Sequence, residues 1–217
     1  LIPGVQYSED ETRGPSAGGS GQDNTYQFDG VNVTLPLFGV LSAEPCSHDI
    51  EQIAVVKGGA NAIDFDRAGG FSINSISRSG TNDFHASVTY QVQPESMTAD
   101  RENAGSTFEE DKDWIIANLG GPIVSDHLYF YASYYAPGSD KESRANLYGD
   151  VPDFKEDRDE YFGKLTFAPT DAILLNASYR TSDHTQTATS NLPPTSAGTT
   201  SSGSDATLDI AIFEGNW

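Results

Sequence analysis

From residue 84 onward the chain alternates. Phe84, Ala86, Val88, Tyr90 and Val92 share one parity, and His85, Ser87, Thr89, Gln91 and Gln93 the other. A period of two marks a strand with one apolar and one polar face. The pattern predicts a strand over about 84–93. It recurs over about 114–121, with Ile115, Ala117 and Leu119 on one face, and over about 127–135, where Leu128, Phe130, Ala132 and Tyr134 oppose Tyr129, Tyr131, Ser133 and Tyr135. A fourth strand, about 161–168, sets Tyr161, Gly163, Leu165 and Phe167 against Phe162, Lys164 and Thr166. The fifth, about 172–180, sets Ile173, Leu175, Ala177 and Tyr179 against Asn176, Ser178 and Arg180. A weaker sixth runs from Thr207 to Trp217.

Short turns are predicted near 123–126 and 169–171, and long polar segments at 94–113, 137–160 and 181–206. Short turns at one end and long loops at the other are the layout of an outer-membrane β-barrel, whose strands need only about 10 alternating residues each. Tyr129, Tyr131, Tyr134, Tyr135, Tyr161 and Phe162 lie near strand ends, where an interfacial aromatic girdle sits. The rival architecture is a soluble or surface-attached acidic β-sandwich, with the apolar faces hidden in a core and the acidic loops binding a partner.

Before residue 80 the pattern is shorter and mixed. Residues 23–33 read as a short strand, a turn at Asp29-Gly30 and a second strand, Asp-Gly being a pair that favours positive φ. Residues 45–57 read as a short helix running into a strand, with Ser47 as N-cap and Asp49 and Glu51 in the first turn. Gly58-Gly59 ends that strand. GGANA at 58–62 lacks both the GxxxxGK[ST] and the GxGxxG spacing, so it is not read as a phosphate loop. Residues 1–23 read as loop.

Charge removes several functions. Net charge is −20, from 32 acidic and 12 basic residues, which excludes nucleic acid held through its phosphates and a polybasic membrane anchor. The segment 94–113 holds seven acids and 137–160 holds eight. Ca²⁺ in these loops stays open as an alternative, but without EF-hand or nonapeptide spacing they read first as a solvated face. Cys46 is the single cysteine and has no metal spacing around it. His48, His85, His127 and His184 show no HxxxH or HExxH spacing, and Asp157 and Asp159 have no shaped pocket predicted around them. No catalytic residue and no metal ligand is assigned, and an enzyme is not predicted.

SRSGTNDFH at 77–85 resembles the TKSGTNEFHG passage that joins plug to barrel in TonB-dependent outer-membrane receptors of the Oar type, with Arg78 in place of Lys and Ala86 in place of Gly. LGGPIVSDHLYFYASY at 119–134 resembles the family's LGGPIxKDKLFFFxSY. DNTYQFDGVNV at 23–33 is similar to DNxYxxDGVNV, and DRAGGFSIN at 66–74 to GRATGGVVN. LIPGV at 1–5 resembles LPGV, and Arg13-Gly14 falls where the family has IRG. The resemblance implies an all-β-dominated fold, a partial transmembrane antiparallel β-barrel with a small α+β plug segment. Residues 1–80 would be the C-terminal half of the plug, and 81–217 the first barrel strands. Such receptors close a 22-stranded barrel with a plug. At about 10 residues per strand, 22 strands would use roughly 220 residues, so this chain is expected to be a fragment, its TonB-contacting part missing.

The resemblance further implies a bacterial outer-membrane location, contact with membrane lipid, the inner-membrane TonB complex as partner, and import of a scarce ligand. That ligand would be peptide- or protein-derived rather than an iron chelate. Arg13, Asp23, Asn24, Asp29 and Gly30 are the plug positions that would contact it. Gly69, Gly70, Asn74, Ser79, Gly80, Thr81 and Asn82 would shape the plug–barrel junction, a structural role.

Overall fold

The structure is a computed structural model that describes residues 23–35, 46–57, 70–98, 110–142, 147–150, 152–170, 172–188 and 202–217. The chain divides into two compact units, Leu1–Arg78 and Ser79–Trp217.

The first unit holds a four-stranded mixed sheet in the order β2-β1-β4-β3, built from β1 (Thr25–Phe28), β2 (Val31–Asn32), β3 (Ile50–Lys57) and β4 (Phe71–Ser77). Strands β1 and β2 form a hairpin closed by Asp29 and Gly30, whose φ angles of 44° and 79° are both positive. That geometry suits the right-handed twist of a two-residue turn, and Asp and Gly tolerate it. Strand β1 runs parallel to β4, and β3 antiparallel to it. Phe71 is fully buried, with Phe28 and Cys46 buried in the same unit, and Tyr26 meets the Phe71 ring edge-on at 6.0 Å. The helix predicted before β3 is a single 3₁₀ turn, Ser47–Asp49. Ser47 is its first residue rather than its cap: Cys46 holds that position, and no side chain caps the turn. Ile50 is already extended, because pairing with Ser77 draws the chain into the sheet within a residue of the turn.

The second unit is one antiparallel meander in the order β10-β9-β8-β7-β6-β5: β5 (His85–Gln93), β6 (Glu110–Val124), β7 (Leu128–Lys141), β8 (Phe154–Thr170), β9 (Ile173–Gln186) and β10 (Ser204–Asn216). All six predicted strands are present, and five begin or end well beyond their predicted bounds. Lys112–Asp113, Asp140–Lys141, Lys155–Glu160 and Thr181–Gln186 were assigned to loops because they are polar, yet each is paired: Lys112 with Ser139, Asp140 with Lys155, Asp159 with Asp183. Backbone pairing at the sheet's long-loop end does not require apolar side chains. The first short turn falls at 125–127, where Asp126 has φ 64°; residue 171, in the second predicted turn, lies outside the described residues.

The two faces of this sheet are inverted relative to a soluble protein. Outward parity carries Val88, Tyr90, Val92, Ile115, Leu119, Tyr161, Leu165, Phe167, Tyr179 and Phe213, all exposed; Val88 is 79% exposed and Phe213 75%. Inward parity carries Ile116, Tyr131, Phe162 and Ile212, buried together with Glu160, Lys164, Thr166, Arg180 and Ser182. In water this arrangement would leave a large apolar surface wet and several charges dry, each unfavourable. It suits a wall with lipid on one side and a polar interior on the other. Along β7 the outward face stays apolar from Leu128 to Ala136. At ~3.4 Å per residue and a lean of about 40°, that stretch rises roughly 20 Å, close to the ~25 Å apolar band of a membrane barrel.

The outward apolar residue farthest from the short turns is Ile115 on β6, Ala136 on β7, Tyr161 on β8, Tyr179 on β9 and Ala211 on β10. On β6, β8 and β10 the next outward residue is an aspartate: Asp113, Asp159 or Asp209. Tyr134 Oη donates to Asp159 Oδ1, and Tyr179 Oη to Asp209 Oδ1 at 2.7 Å. A girdle therefore exists, but it consists of outward tyrosines. Tyr129, Tyr131, Tyr135 and Phe162, predicted to join it, have the inward parity, and Tyr131 and Phe162 are buried there.

Candidate functional site

Two constellations carry the residues singled out by sequence. In the first unit, Asp29 turns its buried carboxylate inward: Oδ1 accepts from the Ser77 amide at 2.8 Å and Oδ2 from Ser77 Oγ at 2.6 Å. The Asp29 amide donates to the Ser75 carbonyl at 3.0 Å, and the Gly30 amide to Asn74 Oδ1 at 3.0 Å. The structure thus brings Asp29, Gly30 and Asn74 together, as polar ties binding the β1–β2 hairpin to β4. Asp23 is exposed, and its carbonyl accepts from the Gly70 amide at 3.1 Å. Asn24 is buried beside Gly70, where an added Cβ would lie 2.5 Å from Asn24 Oδ1. Arg13 and Gly69 lie outside the described residues.

In the second unit, Gly80 lies against backbone. A Cβ there would meet the Phe130 carbonyl oxygen at 2.2 Å and the Gly121 carbonyl oxygen at 2.9 Å, so no larger residue fits without moving β6 or β7. Thr81 Oγ1 donates to the Asp83 carbonyl at 3.1 Å. Asn82 makes a reciprocal pair with the first short turn: its Nδ2 donates to Asp126 Oδ1 at 2.8 Å, and its Oδ1 accepts from the Asp126 amide at 2.9 Å. Ser79 is half-buried beside Gly80.

Sequence reasoning missed the inward wall of β8 and β9. Glu160 is buried between Arg158 and Arg180, each donating to one of its carboxylate oxygens. Arg158 Nε also donates to Ser182 Oγ at 2.8 Å, and the Arg180 guanidinium lies 4.5 Å from the centre of the Phe162 ring. Lower on the same face, Thr166 Oγ1 donates to Asn176 Oδ1 at 2.9 Å. Nearer the long loops, His184 Nε2 and Glu156 Oε1 pair at 2.7 Å. Such pairing is what allows charges to sit out of water at tolerable cost. Glu160 and Arg158 had been assigned to a solvated loop, although their parity, shared with Phe162 and Lys164, signals the inward face. On the outward side Lys155 pairs with Asp140, and this hydrogen bond raises the lysine pKa above its ordinary value.

Among the described residues no group of three or more His, Cys, Asp or Glu side chains is placed to hold a metal ion, and no helix is long and apolar enough to cross a membrane. The latter leaves strands untouched. The inward wall is a set of satisfied pairs that can line a polar passage.

An open meander with lipid-type and lumen-type faces is a segment of barrel wall, and comparison with solved structures gives the same answer. The siderophore receptor PirA from Acinetobacter baumannii superposes with a TM-score of 0.62 at 17% identity, over 86% of this chain and 28% of that one. The ferric enterobactin receptor PfeA from Pseudomonas aeruginosa, solved as a mutant in complex with enterobactin, gives a TM-score of 0.59 at 16% identity, over 85% of this chain and 30% of that one. At these identities the likeness shows the fold alone: part of a β-barrel wall. No family model matches the chain. In sequence it is similar to the TonB-dependent transporter Oar of Myxococcus xanthus, 33% identical over 143 residues, which are 62% of this chain and 13% of that protein. By sequence and by fold the chain resembles TonB-dependent outer-membrane receptors, and in sequence it is Oar-like.

Proposed function

We propose that this chain forms part of an outer-membrane receptor that imports a scarce ligand through a plugged β-barrel with energy drawn from TonB. Unit 1 supplies plug, and unit 2 supplies barrel wall next to lipid. The observation that carries this reading is the inverted sheet, with Val88 and Phe213 exposed while Glu160, Lys164 and Arg180 are buried. The similarity to a protein named as a TonB-dependent transporter supports it. On the same reading Asp23 and the Asp29-Gly30 turn would face the ligand path. The finer part of the proposal, a peptide- or protein-derived cargo, comes from the Oar resemblance alone; both solved neighbours are named for siderophores.

A charge scan on one strand tests the reading. Val88→Arg places a guanidinium on the lipid face and should cost roughly 2–4 kcal/mol near the bilayer midplane, removing the protein from the outer-membrane fraction. Ser87→Arg, one residue away on the inward face, should leave assembly intact. Equal tolerance of the two changes would end the barrel reading. A soluble sandwich, which needs the apolar faces covered, is disfavoured by their exposure.

A further inference from the structure

Arg78 and the stretch 80–84 are held by separate sets of contacts, each within its own unit. On one side the Arg78 amide donates to the Asp49 carbonyl at 2.7 Å, and Arg78 Nε to the Ile50 carbonyl at 3.4 Å, both within unit 1. On the other side, two residues later, Gly80 is seated on the backbones of Phe130 and Gly121. Asn82 then closes its reciprocal pair with Asp126, and Phe84 lays its ring over Gly121, where an added Cβ would sit 2.4 Å from Phe84 Cδ1. Phe84 also meets Phe130 at 6.3 Å. Between these two anchorages lies Ser79.

We propose that Asn82 and Asp126 are positioning residues that moor 80–84 to the first short turn and so fix where the chain enters β5. Asp126 suits this task because its positive φ aims its amide at Asn82 Oδ1 while its carboxylate accepts from Asn82 Nδ2. The mooring gives the SGTND stretch a physical reason at each position: small at Gly80, a local turn at Thr81 and Asp83, a two-way hydrogen-bonder at Asn82.

Amide hydrogen exchange on the full chain in its membrane environment tests the mooring without any cargo. The Asp126 amide reads the clamp directly, because it is the donor to Asn82. Asn82→Ala removes both bonds and should speed that amide by about tenfold or more, while amides within β6 and β7 and the Arg78 amide keep their wild-type rates. Asn82→Asp sets two carboxylates against each other and should have the same effect. Adding Asp126→Asn to Asn82→Asp restores one donor and one acceptor, and keeps a residue that tolerates positive φ. Exchange should return to within about twofold of wild type. Three results overturn the proposal: unchanged exchange at Asp126 in Asn82→Ala, a double variant as fast as Asn82→Asp, or acceleration that spreads to Arg78 or through β6 and β7. Failure of the transport reading would appear separately, as loss of the Val88/Ser87 asymmetry with the clamp intact.

Discussion

The two sheets of this chain differ in the polar groups they bury. In unit 1 the buried polar groups, Asn24, Thr25, Asp29, Asp49, Ser72 and Ser77, carry no basic side chain; they sit with Phe28, Cys46 and Phe71 and are tied by bonds such as Asp29 to Ser77. In unit 2 the buried positions belong as much to Glu160, Lys164, Arg180 and Ser182 as to Tyr131 and Phe162, while the large aliphatic side chains face out. A small mixed core of aromatic rings and hydrogen-bonded polar groups holds the first sheet. The second is organised by continuous strand pairing plus paired charges, with its outward apolar surface left exposed.

The comparison breaks most visibly at Glu160. Glu160→Ala would leave Arg158 and Arg180 with no carboxylate between them on a face that water does not reach freely, a loss of about 3–5 kcal/mol. Unfolding in detergent, followed by gel mobility of the heated and unheated protein, should show it; a change as small as at an exposed site would mean the inward wall is simply wet. The matching test in unit 1 is Asp29→Asn, which keeps a residue that tolerates positive φ and an acceptor for the Ser77 amide, but removes the charge that strengthens both bonds and makes Ser77 Oγ turn from donor to acceptor. A loss of about 1–3 kcal/mol is expected, read as a lower denaturant midpoint and faster exchange at the Ser77 amide. The smallest effect belongs to Tyr179→Phe. Its hydroxyl bonds Asp209 at the exposed rim, so the unfolding midpoint should not move measurably; a large shift would place that hydroxyl inside the apolar band and the boundary in the wrong position.

Parity made most of unit 2 legible in advance. Val88 against Ser87 and Leu165 against Lys164 need no structure to be sorted, because a period of two survives any register. Strand length was not legible. Lys155–Glu160 looks like loop by composition, and only its partners across β7 and β9 reveal a strand. The Arg158–Glu160–Arg180 cluster was hidden for the same reason, since Arg180 meets Glu160 across strands rather than along the chain. The Asp29-Gly30 turn was visible in two letters, but the side chain's commitment to Ser77, 48 residues away, was not. Asn82 was marked through resemblance, and its partner Asp126, 44 residues on, emerged only from the fold.

The upper edge of the outward apolar band has one more consequence. Ile115 pairs with Ala136; Tyr134, two residues before Ala136, pairs with Tyr161; Ala132, opposite Gly163 and hence Tyr179, lies two residues lower again; and Tyr179 pairs with Ala211. Across the four steps from β6 to β10 the edge slips by four residues, one per strand. Strands stand about 4.8 Å apart and advance about 3.3 Å per residue. A bilayer surface is flat, so an edge that falls one residue per strand requires the strands to lean by roughly 35° from the vertical, within the range of closed barrels. The inclination of the wall is thus written in the side chains, as a diagonal of Ile115, Ala136, Tyr161, Tyr179 and Ala211.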